Sequence, residues 1–302
     1  MKPLMAVDWG TSSLRAALLD EQGRVLEEHA SARGILTVAP GEFATILIAV
    51  CALWERAGGT FCLLSGMVGS RQGWQEAPYC PCPAGYAELA AQLAWVESGS
   101  EIARVAIVPG LSYERHGVPD VMRGEETQVL GALDLLGLTE GLFVLPGTHS
   151  KWVRVSQGRI ESFSTFMTGE FYALLRQHSI LARTLPQADG ELDVAAFEQG
   201  IDLARECGNL LQTAFSARTF ALFDRLPPVA LPSYLSGLVI GEELRSQQFD
   251  LKAQPVVIIG AEALTLRYEI GLARYGVSAR RLGAQATWRG LWAIAQSLER
   301  QS

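Results

Sequence analysis

Two short segments of the chain, residues 8–12 (DWGTS) and 147–150 (GTHS), place glycine and hydroxyl side chains directly after an apolar run. In such a turn, glycine lets the backbone approach a phosphate, while free amides and hydroxyl groups donate hydrogen bonds to its oxygens. The carboxylate of Asp8, at the end of the first run, is a ligand type that Mg²⁺ prefers. One copy of this pattern would indicate an ordinary β-hairpin. Two copies in register predict a pair of phosphate-binding turns.

The segments around these turns repeat one another. Residues 7–27 and 144–161 each consist of an apolar strand, a Gly-Thr turn, a second strand, a Gln-Gly-Arg turn and a third strand. A repeat separated by about half of the chain predicts two lobes with similar cores. We expect the boundary near residue 138, with an N-terminal lobe of residues 1–138 and a C-terminal lobe of residues 139–302.

Between and after the repeats, strand patterns alternate with helix patterns. Residues 61–66 and 256–260 are typical of buried strands, and residues 87–97, 125–136 and 262–275 are typical of helices. This alternation predicts an α/β protein with mostly covered sheets.

The composition disfavours several classes of function. The chain has 302 residues, is 49% hydrophobic and 19% charged, and carries a net charge of −7, which does not favour binding to nucleic acid or to an anionic membrane. No signal peptide and no apolar run of roughly 18 to 20 residues is recognisable, so the cytoplasm is the expected location. The five cysteines lack metal-site spacing and the four histidines form no ligand cluster. A homodimer is the default expectation for the oligomeric state.

Three motifs resemble those of the actin, Hsp70 and sugar-kinase superfamily, in the expected order. The two glycine turns correspond to its phosphate motifs, and residues 256–261 (VVIIGA) resemble its adenosine motif. Longer strings resemble the 2-dehydro-3-deoxygalactonokinase family, namely residues 65–74 (SGMVGSRQGW), 119–128 (PDVMRGEETQ), 145–152 (LPGTHSKW), 167–170 (MTGE) and 178–181 (HSIL). The resemblance implies a two-lobed actin-like ATPase fold, a duplicated ribonuclease H-like α/β fold, with an ATP cleft between the lobes.

This resemblance also implies an activity, the transfer of the γ-phosphate of ATP to the 6-hydroxyl of 2-dehydro-3-deoxy-D-galactonate. Asp8 is then expected to organise Mg²⁺, and Lys151 either approaches a phosphate or is a solvated side chain of the second hairpin. The residues expected at the nucleotide are Gly10, Thr11, Ser12, Gly147, Thr148, His149, Lys151, Gly260 and Ala261. The alternatives are a kinase of another sugar acid, a hydrolase, or a non-kinase actin-like ATPase switch.

Phosphoryl transfer also needs a base for the attacking hydroxyl. In the related glycerol and xylulose kinases, a Gly-Asp-Gln segment at a helix start supplies an aspartate, and Gly124-Glu125-Glu126 occupies the matching place here. Glutamate is one methylene longer than aspartate, and Asp120 is nearby in the sequence. The candidates for the base are therefore, in order of preference, Glu125, Asp120 and Glu126. Alternatively, Glu125 and Glu126 only complement the positive end of a helix.

A sugar acid further requires a partner for its carboxylate. Arginine binds carboxylates through two parallel hydrogen bonds, and Arg71 and Arg123 both lie in glycine-flanked loops. Either arginine could instead form a structural salt bridge. Ser70, Gln72 and Trp74 are candidates for the sugar hydroxyls and the sugar face, although Trp74 fits a core position equally well.

Overall fold

The computed structural model describes residues 3–54, 60–97, 103–249 and 255–301 of the chain. The strands in this part are β1 (Leu4–Trp9), β2 (Leu14–Leu19), β3 (Val25–Ser31), β4 (Thr60–Ser65), β5 (Tyr79–Pro81), β6 (Ala94–Val96), β7 (Ala103–Ile107), β8 (Gly110–Arg115), β9 (Val118–Met122), β10 (Gly141–Leu145), β11 (Ser150–Ser156), β12 (Arg159–Phe166), β13 (Val256–Ile259) and β14 (Ala279–Leu282). The helices are α1 (Phe43–Ala52), α2 (Tyr86–Ala91), α3 (Glu125–Leu136), α4 (Thr168–His178), α5 (Val194–Cys207), α6 (Leu210–Thr213), α7 (Ser216–Leu222), α8 (Leu231–Arg245), α9 (Glu262–Arg274) and α10 (Gln285–Gln301).

Two sheets in the described part of the chain share one strand order. The first runs β3-β2-β1-β4-β7-β6, and the second runs β12-β11-β10-β13-β14. In the first sheet, β1, β4 and β7 are parallel neighbours, and in the second sheet β10, β13 and β14 are. Each sheet therefore joins three consecutive strands to two parallel strands that need crossover connections. The internal repeat predicted from the two glycine turns is confirmed by this shared order.

By their contacts, the residues form two compact units. Unit 1 contains Met1–Glu140, Val153–Ser164 and Ala284–Ser302, and unit 2 contains Gly141–Trp152 and Thr165–Gly283. The first division, after Glu140, lies close to the boundary expected near residue 138. The units nevertheless differ from two continuous halves, because the distal part of the β11–β12 hairpin and helix α10 both belong to unit 1.

Helix α10 belongs to unit 1 because it packs closely along α3. A Cβ atom on Gly131 of α3 would lie 1.8 Å from the carbonyl oxygen of Ala286, and one on Gly290 of α10 would lie 1.9 Å from that of Thr127. Neither position can hold a side chain unless the backbone moves. The last helix of the chain therefore supports the helix that carries the candidate bases Glu125 and Glu126.

Unit 2 has a similar close helix pair, α5 with α8. A Cβ atom on Gly200 would lie 2.3 Å from the carbonyl oxygen of Tyr234, and one on Gly237 would lie 2.1 Å from that of Phe197. Helix α8 is buried along nearly its whole length, and all four residues of β13 are buried. Because apolar burial is the dominant favourable term in folding, this helix and this strand form the centre of the unit.

One predicted helix is wrong in its second half. Residues 87–97 were expected to form a single helix, but α2 ends at Ala91 and the chain continues as the edge strand β6. Strand β6 pairs antiparallel with β7, with Trp95 opposite Ala106. Hydrogen bonds to β7, the next strand of the chain, here override the local helix preference. The small sheet β5-β8-β9 was also not predicted.

In the described part of the chain, no helix is both long and apolar enough to cross a membrane.

Candidate active site

The first glycine turn lies between β1 and β2 in unit 1. The amide of Gly10 donates to the carbonyl oxygen of Ser13 at 2.9 Å, which closes the turn. Thr11 and Ser12 are exposed at its tip. Their hydroxyl groups are therefore accessible to a ligand, as the sequence predicts.

A second segment supports this turn from behind. The amide of Ile35 donates to the carbonyl oxygen of Gly10 at 3.0 Å, and the indole N–H of Trp9 donates to that of Arg33 at 2.8 Å. A Cβ atom on Gly34 would lie 2.3 Å from the carbonyl oxygen of Thr11. Gly34 is thus required for the close approach of the two segments, a role that no local pattern around Gly34 indicates.

The carboxylate of Asp8 lies where two loops of unit 1 meet. Asp8 is opposite Ser65 at the ends of the parallel strands β1 and β4, and it forms an ion pair with Arg15 of β2. A Cβ atom on Gly66 (φ 95°) would lie 2.9 Å from the carbonyl oxygen of Trp9 and 3.3 Å from Asp8 Oδ1. Glycine is therefore needed for the loop after β4 to pass beside the carboxylate.

The other loop leads into α3. A Cβ atom on Gly124 (φ 105°) would lie 3.2 Å from Gly66 Cα, so the start of α3 contacts the same glycine that lies beside Asp8. The backbone N–H of Arg123 donates to Glu125 Oε2 at 2.9 Å. The candidate base Glu125 therefore lies at an N-terminal helix end close to Asp8.

Glu126 has a different environment from Glu125. It is fully buried, and the amide of Gly124 donates to both of its carboxyl oxygens at 2.9 and 2.7 Å. Thr127 Oγ1 donates to the same carboxyl group and lies 3.0 Å from Ser65 Oγ. Burial, followed by the charge of Glu125, raises the pKa of Glu126 to about 8. Glu126 is therefore mostly protonated at neutral pH, and its carboxyl group holds the Gly124 loop in place.

Asp120, the second candidate base, lies on β9 in the small sheet. It is opposite Tyr113 of β8, and its Oδ1 accepts the N–H of Val121 at 2.8 Å. The side chain is half-buried. Its role as a base stays a prediction.

Arg123 is a buried cation, and two of its nitrogens have no hydrogen-bond partner in the described part of the chain. Only 8% of the residue is exposed; Nη2 donates to the carbonyl oxygen of Ala77 at 2.8 Å, and the guanidinium lies 4.4 Å from the ring centre of Tyr79. Nε and Nη1 are buried without a hydrogen-bond partner among the described residues. A Cβ atom on Gly69 would lie 2.9 Å from Nη1, so the guanidinium directly borders the glycine loop of residues 66–74. A buried donor without an acceptor is costly, which makes this position suited to a bound anion.

The other substrate candidates lie along the same loop. Ser70 has a buried hydroxyl without a partner among the described residues. Arg71 is 87% exposed at its side chain and pairs with Glu76 at 3.0 Å. Gln72 is exposed, whereas Trp74 is half-buried and stacks on Phe43 with ring centres 6.3 Å apart. Trp74 thus contributes to the unit 1 core, the alternative that the sequence left open.

The second glycine turn, in unit 2, is supported in the same way as the first. A Cβ atom on Gly169 would lie 2.4 Å from the carbonyl oxygen of Gly147, and the amide of Glu170 donates to the carbonyl oxygen of Thr148 at 3.0 Å. His149 Nε2 lies 2.5 Å from the carboxylate of Glu170. Thr148 and His149 are exposed. The start of α4 therefore supports this turn, as Gly34 supports the first.

Lys151 follows this turn on β11 and is buried. Its ammonium group donates to Thr165 Oγ1 at 2.8 Å, and no carboxylate lies within ion-pair distance of it among the described residues. The solvated alternative for Lys151 is wrong. A buried ammonium without a counter-charge favours an anionic ligand.

A cavity of about 170 Å³ in unit 2 adjoins the second turn. Its walls are formed by Pro146, Gly147, Thr168, Gly169, Tyr172, Asp189, Ser236, Val239, Ile240, Leu264, Arg267 and Tyr268. Gly260 and Ala261 are not among the lining residues. Gly260 is nevertheless near the cavity, because a Cβ atom on it would lie 3.7 Å from the carbonyl oxygen of Pro146, which is a lining residue. The cavity thus combines an apolar interior with polar groups at its wall, as small-molecule sites do.

The duplicated sheet, with a glycine turn in each copy, defines an actin-like ATPase fold. Two solved structures share this fold at low identity: component A of the Acidaminococcus fermentans (R)-2-hydroxyglutaryl-CoA dehydratase (TM-score 0.52, 13% identity, 99% of each chain covered) and the activator of the Clostridium difficile 2-hydroxyisocaproyl-CoA dehydratase (TM-score 0.51, 11% identity, covering 99% of this chain and 97% of the other).

A family model described as 2-keto-3-deoxy-galactonokinase matches residues 8–294, and the chain belongs to that family. It is 38% identical to a protein of Rhizobium meliloti (strain 1021) named as a probable 2-dehydro-3-deoxygalactonokinase, over 97% of this chain and 96% of the relative. It is 32% identical to the 2-dehydro-3-deoxygalactonokinase of Escherichia coli (strain K12), over 97% and 98%. A crystal structure of a Sinorhizobium meliloti protein, described as a candidate 2-dehydro-3-deoxygalactonokinase, has a TM-score of 0.88 at 37% identity and covers 98% of this chain and 99% of its own.

Proposed function

We propose that the protein is an ATP-dependent kinase that transfers a phosphoryl group to the 6-hydroxyl of 2-dehydro-3-deoxy-D-galactonate. Family membership and the names of the relatives support the type of reaction and the acceptor. Within this chain, the observation that carries the proposal is the buried guanidinium of Arg123, which borders the glycine loop of residues 66–74 and whose Nε and Nη1 lack a hydrogen-bond partner among the described residues. A sugar-acid carboxylate is an anion that would accept a charge-assisted hydrogen bond from one of these nitrogens.

The two glycine turns are proposed to donate hydrogen bonds to the phosphates of ATP. In unit 1 these donors come from Gly10, Thr11 and Ser12, which are accessible at the turn. In unit 2 they come from Gly147 and Thr148, and Lys151 supplies a positive charge that lacks a protein counter-charge among the described residues. The cavity next to Gly147 is assigned to the nucleoside. Because ATP is the proposed donor, we infer that the reaction takes place in the cytoplasm.

Mg²⁺ fits the residues around Asp8. Arg15 engages Asp8 Oδ2, and the other oxygen faces Gly66. The described residues contain no cluster of three acidic, histidine or cysteine side chains that could hold a metal ion. A single carboxylate is a suitable protein ligand for Mg²⁺, which usually retains waters and shares the substrate phosphates. When bound, the ion would neutralise developing charge on the phosphates.

Glu125 is the proposed base for the acceptor hydroxyl. It lies next to the Gly124–Gly66 contact and hence close to Asp8. Glu126 does not suit this role, because burial raises the pKa of its carboxyl group to about 8 and leaves it mostly protonated at neutral pH. Asp120 remains the alternative. The half-buried Ser70 would contribute a further donor to the acceptor.

The sequence also leaves three alternatives open, namely a kinase of another sugar acid, a hydrolase and a non-kinase ATPase switch. A kinase of another sugar acid would use the same base and the same arginine, so only the acceptor would differ. A hydrolase or a non-kinase ATPase switch would hydrolyse ATP without any acceptor, and Nε and Nη1 of Arg123 would then lack a ligand as well as a partner among the described residues. The arrangement in unit 1 therefore favours a kinase.

A coupled ADP-release assay over a panel of aldonates and 2-keto-3-deoxy sugar acids tests the proposal. We expect ATP turnover that depends on 2-dehydro-3-deoxy-D-galactonate, with the phosphate found on the 6-hydroxyl by ³¹P and ¹³C NMR. Turnover with a different sugar acid only would replace the acceptor and keep the kinase assignment. ATP turnover that is independent of every acid in the panel would contradict the kinase assignment.

A further inference from the structure

Helix α8 carries a buried glutamate that neither the phosphate turns nor the acceptor loops explain. Glu243 is 3% exposed, and no arginine, lysine or histidine among the described residues lies within ion-pair distance of it. Instead, four donors surround its carboxylate. Trp152 Nε1 donates to Oε1 at 2.6 Å, while Oε2 accepts from Ser150 Oγ at 2.7 Å, from the Tyr268 hydroxyl at 2.7 Å and from Thr168 Oγ1.

Two of these four donors come from helices that line the unit 2 cavity, and the other two come from β11, which follows the glycine turn beside it. Thr168, at the start of α4, and Tyr268, on α9, line the cavity themselves. Ser150 begins β11, directly after the second glycine turn. Helix α8 adds Ser236, Val239 and Ile240 to the lining. One carboxylate thus connects β11, α4, α8 and α9.

We propose that Glu243 is a positioning residue for nucleotide binding, which holds the second glycine turn and the cavity walls in the geometry that ATP requires. This inference rests on the proposed assignment of the cavity to the nucleoside. Glu243 acts through Ser150, Thr168 and Tyr268 and does not itself contact the nucleotide.

The chemistry of the four partners explains why a carboxylate is needed. An ionised carboxylate only accepts hydrogen bonds, and here Oε2 accepts three of them and Oε1 accepts one. The indole N–H of Trp152 can only donate, whereas the three hydroxyl groups can either donate or accept. Burial raises the pKa of Glu243, and the four donors oppose this shift by stabilising the charged form. A glutamine could keep its oxygen towards Trp152, but its NH₂ group would force the hydroxyls on the other side to reorient.

Glu243→Gln, compared with Glu242→Gln, tests the proposal. Glu242 is the neighbouring residue, and its carboxylate pairs at the surface with Arg245. We expect Glu243→Gln to raise the KM for ATP and the Kd for ADP about tenfold, the effect of losing one or two hydrogen-bond partners. The KM for the sugar acid should change less than twofold, as should all constants of Glu242→Gln. Calorimetric titration with ADP alone measures the Kd without any acceptor.

A purely structural role would give a different result. It would lower the melting temperature and the active fraction of Glu243→Gln while leaving both KM values and the Kd for ADP unchanged, and that result would overturn the proposal. If Glu243→Gln does not fold, Tyr268→Phe removes a single donor and should raise the Kd for ADP in the same direction. Wild-type protein that binds no ADP would overturn this inference and the kinase assignment together. ADP binding without sugar-acid turnover would overturn only the proposed acceptor.

Discussion

Arg71 and Arg123, the two candidates for binding the sugar-acid carboxylate, differ in how much solvent surrounds their guanidinium groups. Arg71 is 87% exposed and paired with Glu76, so the dielectric around it is high and its charge is screened. Arg123 is buried with two donors unused among the described residues. A carboxylate would gain far more from the second position, because an unsatisfied buried donor costs free energy that binding would recover.

Arg123→Lys keeps the positive charge but removes the two-donor geometry. We expect the KM for the sugar acid to rise about 10- to 100-fold, since one or two charge-assisted hydrogen bonds are lost, while the KM for ATP stays within about twofold. Arg71→Lys provides the comparison and should have a much smaller effect. Steady-state kinetics with each substrate varied separately measures both constants. A larger effect at Arg71 would transfer the carboxylate assignment to that residue.

Glu125→Gln removes the proposed base without changing the size of the side chain. We expect kcat to fall about 10²- to 10⁴-fold, the usual contribution of general base catalysis, while the Kd for ATP remains close to that of the wild type. Rapid-quench kinetics and calorimetry measure the two quantities. If turnover stays near normal in Glu125→Gln but falls in Asp120→Asn, Asp120 is the base.

At the scale of the structural elements, each glycine turn depends on a glycine in a different segment. Gly34 packs against the turn between β1 and β2, and Gly169 packs against the turn between β10 and β11. In both places the nearest atoms are backbone atoms of the turn, which cannot move aside as a flexible side chain can. The orientation of the amides in each turn is therefore set by this backbone contact.

Gly169→Ala tests this dependence in unit 2. The added methyl would lie 2.4 Å from the carbonyl oxygen of Gly147, so we expect the variant to lose about 1 to 3 kcal/mol of stability through overpacking. The displaced turn should also raise the KM for ATP. Urea unfolding and kinetics measure the two effects. Gly147→Ala is the control for stability, because its added methyl has no atom nearer than 4.0 Å. Equal stability of the two variants would contradict the argument.

At the scale of the whole molecule, the buried carboxyl group of Glu126 links folding to pH. Its pKa is about 8 in the folded protein, compared with an ordinary value of 4.5. Between these values the folded state binds more protons than the unfolded state, so the free energy of unfolding falls as pH rises. The loss across this window is on the order of a few kcal/mol.

Glu126→Gln mimics the protonated side chain and should remove this dependence. We expect the wild type to lose stability relative to Glu126→Gln between pH 5 and pH 9, which urea unfolding at several pH values would measure. Glu125→Gln removes a charge that raises the pKa of Glu126, so it should weaken this pH dependence without abolishing it. A difference in stability between wild type and Glu126→Gln that is constant across this range would show that Glu126 does not titrate there.

The expected homodimer stays a prediction that light scattering would check.

Several features were predictable from the sequence because neighbouring residues encode them. The glycine turns follow from backbone freedom at Gly10 and Gly147 next to hydroxyl side chains, and the strands on either side follow from their apolar patterns. Helix α3 was predicted with its observed bounds, since Gly124 precedes it and Gly137 in the left-handed conformation ends it.

By itself, the sequence therefore determined the repeat, the fold class and the residues at the two turns. The tertiary structure decided which distant segments support them: Gly34 behind the first turn, Gly169 behind the second, and Glu243 among four elements. It also decided that Arg123 is buried and Arg71 exposed, and that α10 returns to unit 1. The physical reason is that turn geometry depends on adjacent residues, whereas burial and close backbone contact depend on residues that only folding brings together.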